Sequence, residues 1–133
     1  MPGERILIVD DNRVNLKLAR VLLASEGYEV RTAEDTNEAL AVLTEFRPRL
    51  ILMDIQLPGV DGLEATRRLK ADPATRDIII LALTAYAMKG DDQKARDAGC
   101  DGYVTKPIDT RTLAATVAAH LGQPPHGAGK PNA

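Results

Sequence analysis

Three acidic residues in this sequence directly follow runs of apolar residues. Asp10 and Asp11 come after the run 6–9, and Asp54 comes after the run 50–53. Apolar runs without polar alternation are typical of strands buried on both faces, as in the interior of a parallel sheet. The carboxyl ends of such strands meet along one edge, where open α/β sheets bind ligands. The sequence therefore predicts that the three carboxylates lie close together at that edge.

Such a cluster of like charges favours a bound cation. Two carboxylates about 5 Å apart repel by roughly 3 kcal/mol at an effective dielectric constant of about 20. The ligand atoms would all be oxygens, with no His or Cys nearby, and this selects a hard ion such as magnesium. We therefore predict a magnesium site at Asp10, Asp11 and Asp54. An ion held by two carboxylates keeps positions open for water and phosphate oxygens.

Two more polar residues end later apolar segments. Thr84 follows the run 78–83, and Lys106 follows the segment 100–105. At the same sheet edge, the lysine would add a positive charge and the threonine a hydroxyl donor. These groups together could stabilise a transferring phosphoryl group, and Asp54 is placed as the nucleophile that accepts it.

The pattern of apolar and polar residues predicts an α/β fold with a five-stranded parallel sheet flanked by five helices. Strands are expected at 6–9, 28–33, 50–54, 78–84 and 100–105, each followed by a helix. Strands that alternate with helices favour right-handed crossovers with helices on both faces of the sheet. The three all-apolar strands belong in the interior, which favours the flavodoxin-like strand order 2-1-3-4-5.

Polar residues before the helical segments indicate where helices begin. Asp11 or Asn12 can cap the first helix, and Asp35 begins a capping-box-like start of the second. The second helix is expected to continue through Phe46. Asp109 is predicted to cap the fifth helix, which carries Leu113, Val117 and Leu121 on one face.

Length and composition limit the classes of function. The 133 residues fit one domain, which we place at 4–122, followed by a Pro- and Gly-rich tail at 123–133 that is expected to be disordered. The chain has 17 basic and 19 acidic residues and 3% aromatics, so no nucleic-acid partner is expected. Cys100 is the single cysteine, and no signal peptide or membrane-length apolar run is present. We therefore expect a cytoplasmic protein without membrane insertion.

Several short motifs resemble the signature of bacterial response-regulator receiver domains. They occur in the expected order at 9–12, 53–62, 82–85 and 106–107, within a resemblance that covers residues 5–121. The segments 12–15 and 85–91 resemble a subgroup found as receivers of hybrid kinases and as stand-alone cell-cycle regulators.

This resemblance implies roles for the residues of the acidic site. Asp54 would be the phosphoacceptor. Asp11, Asp54 and the main-chain carbonyl of Gln56 would bind magnesium, with Asp10 acting through water. Lys106 would contact the phosphoryl group.

The resemblance also implies a conformational switch. Thr84 and Tyr103 would form the switch pair, and the bond between Lys106 and Pro107 would be cis. The segment 86–98 is mostly polar, so we expect it to form the least stable helix of the domain.

The function expected from these features is that of a single-domain response regulator. It would accept a phosphoryl group from a histidine kinase or histidine phosphotransferase, and it would act as a signalling domain rather than as an enzyme, although it would assist its own phosphorylation and dephosphorylation. Because the sequence ends after the fifth helix, we expect no output domain. A downstream protein would read the face formed by helix 4, strand 5 and helix 5. The alternative is a phosphate sink or a phosphorelay intermediate.

Three other classes fit the residues less well. A phosphatase of the haloacid dehalogenase type would have an acid two residues after the nucleophile, where this chain has Gln56. A nucleotide-binding module would have a glycine-rich first turn, where this chain has acidic and polar residues at 10–13. A scaffold that is never phosphorylated would not require so complete a site.

Overall fold

The computed structural model describes residues 4–55, 62–84, 91–106 and 108–121. Strands and helices alternate along the chain in five pairs. The strands are β1 (Arg5–Val9), β2 (Glu29–Ala33), β3 (Leu50–Asp54), β4 (Ile79–Thr84) and β5 (Gly102–Thr105). The helices are α1 (Arg13–Ser25), α2 (Thr36–Leu43), α3 (Gly62–Ala71), α4 (Asp91–Ala98) and α5 (Leu113–Leu121).

All five strands are parallel and lie in the order β2-β1-β3-β4-β5, so the predicted topology is confirmed. The interior strands are the apolar runs: every residue from Ile6 to Val9 and from Leu50 to Met53 is at most 1% exposed. The edge strand β5 alternates between half-buried and exposed residues. The register pairs Val9 with Met53 and Thr84 with Thr105, which aligns the carboxyl ends of the four strands concerned.

Helices cover both faces of the sheet over separate apolar clusters. On one face, α1 and α5 pack onto the sheet through residues such as Leu23 and Val117. On the other face, α2 and α3 do so through residues such as Ala39 and Leu69. The buried part of α4 belongs to a smaller cluster that includes Ala95. The core therefore lies in two layers, one on each side of the strands that end at the site.

Helix starts follow the predicted caps in two cases. Asn12 is the N-cap of α1, and its side-chain oxygen accepts hydrogen bonds from the N–H groups of Val14 (2.9 Å) and Asn15 (3.1 Å). Asp35 caps α2 by accepting from the N–H of Glu38 at 2.8 Å. These side chains satisfy N–H groups that have no partner within the helix.

Two helix boundaries differ from the prediction. α2 ends at Leu43 rather than at Phe46, because Thr44 and Glu45 donate to carbonyls three residues back and tighten the last turn. α5 begins at Leu113, since the Asp109 carboxylate accepts from the N–H of Arg111 and stabilises a turn before the helix. Residues 85–90 and the tail predicted at 123–133 lie outside the described residues.

Candidate functional site

The structure brings together the three carboxylates that the sequence singled out. Oxygen atoms of Asp10, Asp11 and Asp54 all lie within 4.8 Å of one another. Asp10 and Asp54 are 0% and 2% exposed, whereas Asp11 is exposed to solvent. Two acidic groups are therefore fixed inside the sheet edge, and the third borders the solvent.

The backbone holds the two buried carboxylates in place. Asp54 is the last residue of β3, and the next N–H, that of Ile55, donates to the carbonyl of Leu83 at 3.2 Å. The N–H of Asp10 donates to the carbonyl of Ala33 at 3.1 Å. A Cβ atom on Gly62 would lie 2.0 Å from the carbonyl oxygen of Asp54, so only glycine lets α3 begin this close to the site.

Lys106 reaches the same cluster from the far side of the sheet edge. Its Nζ lies 2.8 Å from Oδ2 of Asp54 and 3.4 Å from Oδ2 of Asp10. Burial lowers the pKa of Lys106, but its hydrogen bond to Asp54 and the charges of Asp54 and Asp10 outweigh burial and raise that pKa above its usual value. Lys106 is therefore positively charged at neutral pH.

Asp10 is in a less favourable environment for its charge. Burial raises the pKa of its carboxyl, and the nearby charge of Asp54 raises it further. The hydrogen bond from the N–H of Asn12 (2.9 Å) and the charge of Lys106 act in the opposite direction, but the pKa of Asp10 remains above its usual value. In the folded protein without a bound cation, the ionised form of Asp10 is therefore less favourable than it is in the unfolded chain.

The donor atoms at this edge suit a divalent magnesium ion. Three carboxylates and one ammonium group leave two uncompensated negative charges, which one divalent ion would match. Magnesium bonds to oxygen at about 2.0–2.1 Å, so opposite ligands lie roughly 4 Å apart. The observed limit of 4.8 Å leaves room for direct contact by some of the carboxylates and for contact through water by the others.

The predicted switch residues lie at different distances from the sheet edge. Thr84 is the last residue of β4 and is 1% exposed, and its carbonyl accepts the N–H of Lys106 at 2.8 Å. Tyr103 is 39% exposed and lines a groove of about 340 Å³ between β5 and the start of α5. The structure therefore places Thr84 next to the site and leaves Tyr103 on the outer surface.

Two predicted features lie outside the part of the chain that the structure describes. These are the main-chain carbonyl of Gln56 and the bond between Lys106 and Pro107.

The structure also shows a contact at the site that the sequence did not predict. Nδ2 of Asn15 lies 3.4 Å from Oδ2 of Asp10. The available signal was the spacing, because residues on the first turn of a helix face the loop before it.

Comparison with known proteins identifies the family. The response regulator receiver domain family matches residues 6–118. The chain belongs to this family. Receiver domains are signalling domains, and the resemblance seen in the sequence motifs is thereby confirmed.

Relatives agree with this assignment in sequence and in structure. The chain is 47% identical over 117 residues to the polar-differentiation response regulator DivK of Brucella anthropi, a match that covers 88% of this chain and 95% of that protein. The chemotaxis response regulator CheY4 of Vibrio cholerae has a similar structure, with a TM-score of 0.83 and 28% identity over 90% of this chain and 98% of that one.

A third relative is the receiver domain of a sensor histidine kinase from Pseudomonas aeruginosa, whose structure has a magnesium ion coordinated in its active-site cleft. Its TM-score is 0.82 at 36% identity, over 91% of this chain and 99% of that one.

Among the residues that the structure describes, none of the helices has the length and hydropathy that a membrane span requires.

Proposed function

We propose that this receiver domain takes a phosphoryl group from a phosphohistidine donor onto Asp54 and signals through phosphorylation-dependent protein contacts. One observation carries this proposal: Asp54 is a buried carboxylate between two other acids and a lysine ammonium at 2.8 Å. This arrangement supplies a nucleophile and a positive charge at one fixed point. The family assignment supports the same chemistry.

The phosphoryl transfer needs no reactant besides Asp54 and the phosphohistidine donor. A carboxylate oxygen of Asp54 forms a bond to phosphorus while the bond from phosphorus to the imidazole nitrogen of the donor breaks. The electron pair of the broken bond stays on that nitrogen, and the product on Asp54 is an acyl phosphate. Lys106 is close enough to Asp54 to neutralise charge on the incoming phosphoryl oxygens.

Magnesium is the cofactor that we assign to this reaction. Asp11, Asp54 and the carbonyl of Gln56 would hold it, and Asp10 would contact it through water. A bound magnesium ion would neutralise negative charge on the phosphoryl oxygens during transfer. The magnesium ion in the similar receiver from Pseudomonas aeruginosa supports this assignment.

An exposed apolar surface beside the acidic site suits the phosphohistidine donor. Val14 and Val21 of α1 are 74% and 50% exposed, and they line one shallow apolar groove with Leu18. Val14 follows Asp11 by three residues, so a partner bound here could bring its histidine to Asp54. Val21→Asp should slow transfer from a protein donor while leaving transfer from acetyl phosphate unchanged. If Val21→Asp takes the phosphoryl group from the protein donor as fast as wild type does, this surface is not the docking site.

Phosphorylation would act by shifting an equilibrium between two conformations. The Thr84 hydroxyl would move toward the phosphoryl group, and the exposed Tyr103 ring would turn inward. A shift from 1:99 to 99:1 needs about 5.5 kcal/mol, which several charge-assisted contacts could supply. A downstream partner would then bind the face formed by α4, β5 and α5.

The phosphoacceptor can be tested by chemistry specific to acyl phosphates. Label transferred from a phosphohistidine protein should need magnesium, should be absent from Asp54→Asn, and should be lost in alkaline hydroxylamine. Label that persists in Asp54→Asn, or that survives hydroxylamine, would assign the phosphoryl group to another residue.

The switch has a separate test. Thr84→Ala should still be phosphorylated but should lose phosphorylation-dependent partner binding by at least tenfold. Amide exchange on phosphorylation should change mainly within residues 84–108. If Thr84→Ala binds the partner as well as wild type does, or if exchange within that window does not change, the switch lies elsewhere and this mechanism is wrong.

A further inference from the structure

The Asp10 carboxylate has a donor on each of its oxygens. Oδ1 accepts the N–H of Asn12 at 2.9 Å. Oδ2 lies 3.4 Å from Nδ2 of Asn15 and 3.4 Å from Nζ of Lys106. Because Asp10 is 0% exposed, these groups replace the water that would otherwise solvate its charge.

The two donors on Oδ2 differ in what else they contact. Lys106 lies closer to Asp54, at 2.8 Å, and its charge is directed to the position where the phosphoryl group would be attached. Asn15 is half-buried on the first turn of α1 and has no charge. A neutral amide can fix the direction of a carboxylate without adding a positive charge that would oppose a divalent cation nearby.

We propose that Asn15 is a positioning residue that orients Asp10 toward the magnesium ion. The inference rests on the proposed function, because it assigns Asp10 a contact to the ion through water. Loss of a group that orients a metal ligand commonly weakens metal binding by about 10- to 100-fold. The contact of 3.4 Å is long for a hydrogen bond, so we expect a weakening of about tenfold.

A second asparagine provides a matched control. Asn12 caps α1 with its side chain, but it contacts Asp10 only through its backbone N–H. Asn15 has the reverse arrangement. Its backbone N–H donates to the Asn12 side chain, and its own side chain contacts Asp10. Asn15→Ala therefore keeps the cap and loses the contact, whereas Asn12→Ala loses the cap and keeps the contact.

The test is a magnesium titration of the full chain by calorimetry, with thermal unfolding in chelator as the measure of stability. Asn15→Ala should weaken magnesium binding about tenfold and should lower Tm in chelator less than Asn12→Ala does, because Oδ2 of Asp10 keeps its contact with Lys106. Asn12→Ala should lower Tm while magnesium binding stays within about twofold of wild type. Asn15→Gln, which keeps an amide donor, should lose less affinity than Asn15→Ala. With acetyl phosphate as donor, saturating magnesium should restore the phosphorylation rate of Asn15→Ala.

The possible results separate this inference from the proposed function. If wild type binds magnesium and Asn15→Ala binds it equally well, the positioning role is wrong and the proposed function stands. Equal weakening in Asn12→Ala would assign the effect to the start of the helix, and that result also overturns the inference. If wild type binds no magnesium, the proposed function and this inference fail together.

Discussion

The carboxylates and the surface proposed to report phosphorylation lie in regions with different packing. The carboxylate region consists of β1, α1 and β3. Asp10 and Asp11 lie between β1 and α1, and Asp54 is the last residue of β3. The readout region, residues 91–106, contains the α4 and β5 part of the proposed readout face, together with Lys106. From Ile6 to Val9 the strand β1 is 0% exposed, whereas β5 alternates between half-buried and exposed residues. The two buried acids, Asp10 and Asp54, are thus fixed, and the neighbouring region is less constrained.

Buried side chains on the two helices show the same difference. α1 buries Leu16, Ala19 and Leu23, whereas the buried residues of α4 within 93–98 are Ala95 and Ala98. Burying a leucine side chain contributes about 1.5–3 kcal/mol, and an alanine methyl contributes about 0.8 kcal/mol. Repacking α4 would therefore cost little compared with moving α1. A rigid charge site can then coexist with a surface that changes on phosphorylation.

Removal of a buried leucine from the carboxylate region should have the largest effect on stability. Leu52 of β3 is 0% exposed, so Leu52→Ala should lower the free energy of unfolding by about 3–4 kcal/mol. Val104 of β5 is half-buried, and Val104→Ala should cost about 1 kcal/mol. Urea unfolding of both variants measures the difference. Similar losses would mean that the two regions are equally well packed.

Lys70 joins α3 to the base of the readout region, and its removal should have the second largest effect. Its Nζ donates to the carbonyl of Ile78 (2.8 Å) and to the carboxylate of Asp101 (2.9 Å), which also accepts the N–H of Ile80. Lys70→Met should cost about 2 kcal/mol, because it leaves these acceptors without their ammonium donor. The exposed Lys94→Met serves as the control and should change stability by less than about 0.5 kcal/mol.

Asp10→Asn should stabilise the protein in chelator at pH 7 by about 1–2 kcal/mol, because it removes carboxylate repulsion. The pKa of Asp10 is raised in the folded state, mainly by burial, so its penalty is present above that pKa and disappears as the pH falls toward 3.8. The advantage of Asp10→Asn over wild type should therefore shrink on acidification. Magnesium at pH 7 should also reduce it.

Urea unfolding of both proteins at several pH values, with chelator and with magnesium, measures this difference. An advantage that grows as the pH falls would contradict the assigned direction of the pKa shift. If magnesium leaves this difference in unfolding free energy unchanged, the Asp10 charge does not interact with the ion.

The smallest effect is expected at the surface of the carboxylate region. Arg13 and Glu34 form an ion pair at 3.2 Å, but their side chains are 83% and 45% exposed. Solvent screening should limit the loss in Arg13→Ala to about 0.5 kcal/mol or less. Urea unfolding at low and high salt checks this value. A loss above about 1 kcal/mol would show that surface ion pairs, in addition to buried strands, stabilise this region.

Sequence patterns alone were sufficient for the sheet and for the proximity of the acids. The apolar runs at 6–9, 50–53 and 78–83 are typical of interior strands, which favoured the flavodoxin-like order that the structure has. Asp54 then had to lie at the carboxyl edge with Asp10. The caps at Asn12 and Asp35 were also predictable, because capping depends on residues two or three positions apart.

Contacts between distant segments were decided by the tertiary structure. The outward position of Tyr103, the link from Lys70 to Asp101, and the contact of Asn15 with Asp10 depend on how helices pack against the sheet. The early end of α2 has a similar origin: Phe46 leaves the helix and is buried in the core, with the guanidinium of Arg31 5.0 Å from the centre of its ring. Periodicity reports the local preference of a segment, whereas these arrangements depend on side chains that meet only after the chain has folded.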